Sequence, residues 1–222
     1  MNKIKKIIIA FFLFIMYISL SLIIESRFKI VFNSSNKIIG NISLSLGNIL
    51  ILLLLSLFFV PELVEGFKKL NKKDVKTGYK NWLIGLAIMY ASNIIIILIN
   101  KNIASNESYN RELLFKMPLY AISTMVIIAP IIEELIFRLS IKDVFKNKWV
   151  YATVSGFIFG LMHMTTVTNP LELLYIIPYG ALGFMFAKTV FETDNIWCSI
   201  FTHMTHNGAI IALLYLSHLL GA

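Results

Sequence analysis

Long apolar runs, separated by short polar stretches rich in lysine, follow one another along almost the whole chain. A lone segment in lipid must close its own backbone hydrogen bonds, and a helix needs about 20 apolar residues to cross the hydrocarbon core. Transmembrane strands would be shorter and would alternate apolar with polar positions. The pattern therefore predicts seven membrane-spanning helices, at Ile7–Ile24, Ile42–Val60, Trp82–Ile99, Leu119–Ser140, Trp149–Met164, Leu171–Ala187 and Ile196–Leu220.

The composition supports an all-α, polytopic transmembrane bundle. Hydrophobic residues make up 58% of the 222 residues and charged residues 14%, whereas soluble domains have about 25% charged residues. The first apolar run is expected to be a membrane helix rather than a cleaved signal peptide, because it is long and no small-residue cleavage site follows it. No part of the chain is left over for a separate soluble domain.

The basic charge points to the bilayer and not to nucleic acid. The formal net charge is +8, but the lysines fall between the apolar runs, where they orient helices and touch lipid headgroups. With a cytoplasmic N-terminus, fourteen lysines and arginines face the cytoplasm and six face outward. The Ile-, Lys- and Asn-rich composition is typical of AT-rich bacterial genomes, so we expect a bacterial plasma membrane.

The fourth predicted helix carries Glu133, Glu134 and Arg138 near its end. Each ionised group at a bilayer centre costs roughly 2.5–3.5 kcal/mol, so such groups usually have a function. Glu134 and Arg138 are four residues apart, a spacing that brings opposite charges together on a helix. Glu133 points about 100° away and has no partner on its own helix. Glu133 is therefore a candidate general base, and Glu134 a supporting residue.

A second candidate group lies on the fifth helix. If the fourth helix runs on to a turn near Asn147, then Glu133 and His163 are equally far from that turn and lie at one level of an antiparallel hairpin. Phe159 is one helical turn before His163 and could pack beneath the imidazole. The spacing therefore predicts a long fourth helix and a Glu133–His163 pair.

The last helix carries His203 and Asn207 on one face. Their N–H groups could hold a substrate oxygen; the pair could equally hold a metal or join helices. His206 and His218 are interpreted as structural or interface residues, and the single cysteine, Cys198, as inert.

Three motifs resemble those of one family. Glu133-Glu134-x-x-x-Arg138, Phe159-x-x-x-His163 and His203-x-x-x-Asn207 follow in order, as in the CPBP (CAAX-processing and bacteriocin-processing, or Abi) intramembrane proteases. The resemblance covers roughly 118–220, which divides the chain into three N-terminal helices (1–117) and a catalytic core (118–222). Eight spans are common in this family, so an eighth helix stays open.

The resemblance implies a role for each residue. Glu133 with His163 would activate the attacking water, His203 and Asn207 would stabilise the oxyanion, and Glu134 and Arg138, beside Phe159, would support the site. Family members cleave prenylated CAAX proteins, mature peptides such as bacteriocins, or give bacteriocin immunity. We therefore expect an endopeptidase acting on a membrane-associated peptide or lipidated protein.

Two questions stay open at this point. Glu133, His163 and His203 could bind zinc with a water molecule, but the H-E-x-x-H motif is missing, so a metal-free glutamate protease without cofactor is favoured. The alternative function is a non-catalytic membrane regulator or immunity protein on the same scaffold. A proton-coupled transporter is disfavoured because no internal repeat is visible.

Overall fold

A computed structural model describes residues 3–32, 37–167 and 169–221, and all regular structure in these ranges is helical. Thr168, part of a predicted turn, lies outside the described residues. The predicted all-α bundle is confirmed, with eight helices. They are α1 (Lys3–Phe32), α2 (37–68, with a tighter turn at Leu57–Phe59), α3 (Lys72–Asn100), α4 (Ser105–Lys116), α5 (Pro118–Lys142), α6 (Lys148–Met162), α7 (Pro170–Thr193) and α8 (Ile196–Leu219).

Among the described residues, four helices are long and apolar enough to cross a membrane, as in an integral membrane protein. They are Leu44–Lys68 within α2, Lys72–Asn100, Pro118–Lys142 and Pro170–Thr193. All seven predicted segments coincide with helices. The eighth helix, α4, was not predicted because its sequence, SNESYNRELLFK, is polar.

Asparagine is the N-cap residue of four of the helices. Each of them accepts a hydrogen bond from a backbone N–H in the first turn of its helix and so stabilises an otherwise unpaired donor. The bonds run to Asn71 from Asp74, to Asn147 from Trp149, to Asn169 from Leu171, and to Asn195 from Trp197.

The predicted extension of the fourth helix to Asn147 is wrong. Helix α5 ends at Lys142, residues 143–147 form a loop, and Asn147 caps α6. Lys142 pairs there with Asp194, in the turn before α8. Glu133 is then about 14 Å from the end of α5, but His163 is about 22 Å from the start of α6. Helix lengths alone do not put these two residues at one level.

Helix α7 packs against α6 on one side and α3 on the other. Glycines, among them Gly180 and Gly183, line the seam between α6 and α7. A Cβ added to Gly156 would lie 2.7 Å from both the carbonyl oxygen of Gly180 and the nitrogen of Phe184. The two backbones therefore touch, and this contact brings the aromatic residues of α6 and α7 together.

Gly156→Ala is expected to lower the free energy of unfolding by about 1–3 kcal/mol, because two backbones must separate to admit a methyl group. Gly208→Ala is the matched control, since a Cβ there meets only Val126 Cγ1, at 3.5 Å. Thermal unfolding of both variants in detergent measures the difference. Equal midpoints would contradict the close packing of α6 on α7.

Candidate active site

Helix α5 contains two wide turns, at Ser123–Ile128 and Leu135–Leu139, which flank the segment Ala129–Glu134. Wide turns of this π type are frequent at functional sites, and they leave carbonyl groups without their usual helical partner. The segment that carries both glutamates is thus bounded on each side by an irregular turn. Nothing in the sequence pattern indicated these turns.

Side chains from neighbouring helices bind carbonyl oxygens of these wide turns. Asn207 Nδ2 on α8 donates to Met125 O at 2.8 Å. From α6, Ser155 Oγ donates to Phe137 O at 2.7 Å and Tyr151 OH to Arg138 O at 3.2 Å. Helices α6 and α8 are therefore tied to α5 on both sides of the glutamate pair.

The polar residues of α6 and α8 lie on single faces. At intervals of four residues, α6 and the position just after it carry Tyr151, Ser155, Phe159 and His163. At the same interval, α8 carries Ser199, His203 and Asn207. Residues four apart share a helix face. Both faces pack against α5. The same row of residues on each helix therefore makes the hydrogen bonds to α5 and contributes side chains to the site.

Glu134 is fully buried, and both of its carboxylate oxygens are engaged. Oε2 accepts from Ser199 Oγ at 2.6 Å and lies 3.2 Å from Arg138 Nε, while Oε1 lies 2.9 Å from His203 Nδ1. Every neighbour is a donor or a cation, so this carboxylate is held in its ionised form. The predicted Glu134–Arg138 ion pair is present.

Arg138 is also fully buried and lies among aromatic rings. Its guanidinium carbon is 4.5 Å from the centre of the Phe159 ring and 5.7 Å from that of Phe186. The guanidinium nitrogens make no ordinary hydrogen bond to the described residues, because the contact to Glu134 has ion-pair distance without hydrogen-bond direction. The charge is therefore balanced by one carboxylate and by ring faces.

His203 links the two glutamates. Its Nδ1 faces Glu134 Oε1 at 2.9 Å, and its Nε2 is 3.6 Å from Glu133 Oε2. Phe186 stacks on the imidazole, with ring centres 4.7 Å apart and an angle of 22°, and Phe159 meets it edge-on at 5.8 Å. Because a carboxylate only accepts, Nδ1 carries a proton and Nε2 is left to interact with Glu133.

His163 lies beside this group. Its Nδ1 is 2.8 Å from the carbonyl oxygen of Phe159, which fixes the Nδ1–H tautomer of the neutral ring and leaves a lone pair on Nε2. The ring stacks on Tyr179 at 4.4 Å and packs on Phe159 at 4.5 Å, as predicted for Phe159. Phe159 thus contacts the rings of both His163 and His203.

The other predicted residues occupy different positions. Asn207 shares a face with His203, but one of its amide hydrogens is committed to Met125. His206 packs edge-on against Trp82 at 6.4 Å, and His218 packs against Phe115 at 4.7 Å. Cys198 is buried. These last three residues make no contact with the glutamates in the described part of the chain.

The three residues considered for zinc meet only part of what a zinc site needs. Both imidazoles are anchored through Nδ1, the arrangement that orients zinc-binding histidines. However, no three His, Cys, Asp or Glu side chains among the described residues converge at metal-binding distance. As arranged, the residues do not fit a zinc ion, and no chemical step is derived through one.

Sequence reasoning missed Ser199, Phe186, Tyr179 and the carbonyl group of Met125. Ser199 lies four residues before His203, so the face it shares with His203 and Asn207 was a signal that could have found it. Phe186 and Tyr179 belong to an apolar helix with no distinguishing spacing. The Met125 carbonyl is exposed only by the wide turn of α5.

The three motifs lie inside a region that matches a family model. The model for type II CAAX prenyl endopeptidase Rce1-like proteins matches residues 115–209. A Bacillus subtilis (strain 168) protein named "Putative membrane peptidase YdiL" is 29% identical over 160 residues, which cover 64% of this chain and 62% of the relative. The Lactococcus lactis (strain IL1403) "UPF0177 protein YvdC" is 24% identical over 174 residues, covering 71% and 65%.

The chain spans less than two thirds of the length of these curated relatives. No solved structure matches it. The matched region contains α5, α6 and α7 completely and the first part of α8, together with all seven motif residues and the contacts that link them. Residues 115–209 are therefore similar to the Rce1-like type II CAAX prenyl endopeptidases, and the three motifs lie within that similarity.

Proposed function

We propose that this protein is an intramembrane endopeptidase that hydrolyses a peptide bond in a membrane-associated peptide or lipidated protein. Water activated by Glu133 is the nucleophile, and no metal is required. The observation that carries the proposal is the link Glu133–His203–Glu134, with His163 beside it, inside a helical bundle. Glu133 is the less buried of the two carboxylates, and its side chain is 15% exposed. A cluster with a purely structural role would not need it.

The charges of the group support this chemistry. Glu134 and Arg138 neutralise each other, which leaves the Glu133 carboxylate and the His203 imidazole. Buried charge is tolerated where it is paired. A carboxylate beside an imidazole N–H places a proton acceptor and an oxyanion donor next to each other.

The steps follow from these positions. Glu133 removes a proton from water as the water oxygen attacks the carbonyl carbon of the peptide bond, and His163 Nε2 accepts a hydrogen bond from the same water. His203 Nε2–H and the second amide hydrogen of Asn207 donate to the resulting oxyanion. When the C–N bond breaks, the proton held by Glu133 passes to the leaving amine. The products are a carboxylic acid and an amine.

The proposed class of substrate is inferred from the surroundings of the site. The reactive groups lie on α5, α6 and α8, within a bundle whose helices carry exposed apolar side chains, so a peptide must approach from the bilayer or its edge. Prenylated CAAX proteins are substrates named for the matched family, not for this chain. A short membrane-associated peptide in a bacterial plasma membrane fits the same site, with the N-terminus of the protease in the cytoplasm.

The test compares membranes from cells that carry the wild-type protein, Glu133→Gln or no protein. Mass spectrometry should find precursors that accumulate, and mature termini that disappear, equally in the variant and the deletion. If Glu133→Gln cells instead match wild type in both peptides and phenotype, the protein is a non-catalytic regulator. The precursor found in this way is the substrate for assays of the purified protein.

Removal of metal ions is expected to leave this activity unchanged, because the proposed base and oxyanion donors are all side chains. Purified protein is dialysed against EDTA or treated with 1,10-phenanthroline, and its metal content is measured beside its rate of precursor cleavage. The same chelators applied to a zinc protease of known activity serve as the control. Stoichiometric zinc, with activity that falls on chelation and returns with added zinc, would overturn the metal-free route.

A further inference from the structure

A serine outside the three motifs touches the centre of the site. Ser199 is fully buried on α8, one helical turn before His203, and its Oγ lies 2.6 Å from Glu134 Oε2. A second acceptor, the carbonyl oxygen of Phe186, is 3.3 Å away. The single hydroxyl proton goes to the nearer, charged acceptor, because hydrogen bonds to ionised groups are shorter and stronger. Ser199 therefore donates to Glu134.

The neighbours of His203 show why this bond matters. Phe186 stacks on the imidazole and Phe159 meets its edge, so the two rings fix the plane of His203. Flat stacking does not decide which ring nitrogen faces which glutamate, because a half-turn about the Cβ–Cγ bond keeps the ring in the same plane. Among the described residues, the 2.9 Å hydrogen bond from Nδ1 to Glu134 Oε1 is the shorter of the two polar contacts that select the orientation presenting Nε2 to Glu133.

That hydrogen bond in turn needs a fixed Glu134 carboxylate. Arg138 lies 3.2 Å from Oε2, but its guanidinium makes no directed hydrogen bond within the described residues. A charge without a directed bond attracts the carboxylate and leaves its rotation open. Ser199 supplies the directed bond to Oε2, so that Oε1 is held toward His203.

We propose that Ser199 is a positioning residue of the peptidase: it fixes Glu134, and through Glu134 it fixes the orientation of His203. The catalytic consequence rests on the proposed function, whereas the effect on His203 does not. Ser199 itself touches neither water nor substrate in this scheme. The order of action is Ser199, Glu134, His203 and then Glu133.

The test is Ser199→Ala in the full chain, with Thr202→Val as the matched control. Thr202 is a buried residue on the same helix, and within the described part of the chain its hydroxyl bonds to the backbone oxygens of Cys198 and Ser199. Ser199→Ala should slow cleavage of the accumulated precursor by about tenfold or more, the effect of one lost hydrogen bond to a charged group. Thr202→Val should cleave at the wild-type rate.

The second readout is the NMR signal of the His203 Nδ1–H proton in detergent-solubilised protein with ¹⁵N-labelled histidine, assigned by its loss in His203→Gln. Ser199→Ala should speed the exchange of this proton with water by about tenfold or more, and Thr202→Val should not change it. An unchanged signal in Ser199→Ala overturns the proposal, whether or not cleavage falls. A changed signal with wild-type cleavage overturns its catalytic part.

The two proposals fail in distinguishable ways. If wild-type protein cleaves no precursor and Glu133→Gln changes no membrane peptide, the peptidase function fails. The NMR comparison of Ser199→Ala with Thr202→Val still decides whether Ser199 holds the Glu134–His203 pair.

Discussion

Glu133→Gln is expected to slow precursor cleavage by the purified protein by about a hundred- to ten-thousandfold, the usual contribution of a general base. Glutamine keeps the size of the side chain but does not accept a proton from water. Glu133 is partly exposed, and its Oε2 lies 3.6 Å from His203 Nε2. The variant should therefore insert into membranes and unfold at the wild-type temperature, so that the loss is chemical and not structural.

The control for this substitution is Glu62→Gln, the same change at an exposed glutamate in the C-terminal part of α2. It should cleave the precursor at the wild-type rate. The measurements are kcat and KM for the precursor, together with thermal unfolding, for all three proteins. A Glu133→Gln protein that turns over at the wild-type rate would refute the role of Glu133 as base.

Arg138→Met is expected to cost about 3–5 kcal/mol in the free energy of unfolding, because it leaves the buried Glu134 carboxylate without its cation. The ion pair joins residues four apart on α5, and both side chains are completely buried. Methionine keeps most of the length of the side chain and lies well against Phe159 and Phe186, so the lost charge dominates the effect. Unfolding of the detergent-solubilised protein by denaturant measures the change.

Arg111→Met on α4 is the matched control. Arg111 also pairs with a glutamate four residues away, Glu107, but the two side chains are 44% and 29% exposed. Exposed pairs of this kind are worth less than about 1 kcal/mol. Equal losses in Arg138→Met and Arg111→Met would show that burial of the Glu134–Arg138 pair contributes nothing. Adding Glu134→Gln to Arg138→Met should restore part of the stability, since the unpaired charge is then removed.

The chemistry at the site was largely readable from spacing. Intervals of four residues predicted the Glu134–Arg138 pair, the packing of Phe159 on His163 and the shared face of His203 and Asn207. A direct pair of Glu133 with His163 was predicted from a long hairpin that the structure does not contain. The structure instead brings Glu133 Oε2 to 3.6 Å from His203 Nε2.

The difference arises from backbone irregularity. Two wide turns in α5 change the direction in which its residues point, and no side-chain pattern encodes them, because each is stabilised by hydroxyl and amide groups on other helices. The polar helix α4 was missed for a related reason. Its buried leucines, Leu113 and Leu114, pack on the outer ends of other helices and carry no periodic apolar face of their own.

The sequence by itself determined that this is a helical membrane protein, which segments form helices, and which polar residues need partners, because apolar length, charge and four-residue spacing are local properties. The tertiary structure alone decided that His203 joins Glu133 to Glu134, that Phe159 and Phe186 enclose Arg138, and that Ser199 supports the site. These contacts depend on how α5, α6, α7 and α8 cross. That crossing is set by glycine contacts and by the carbonyl groups freed in wide turns, both of which act between segments far apart in the chain.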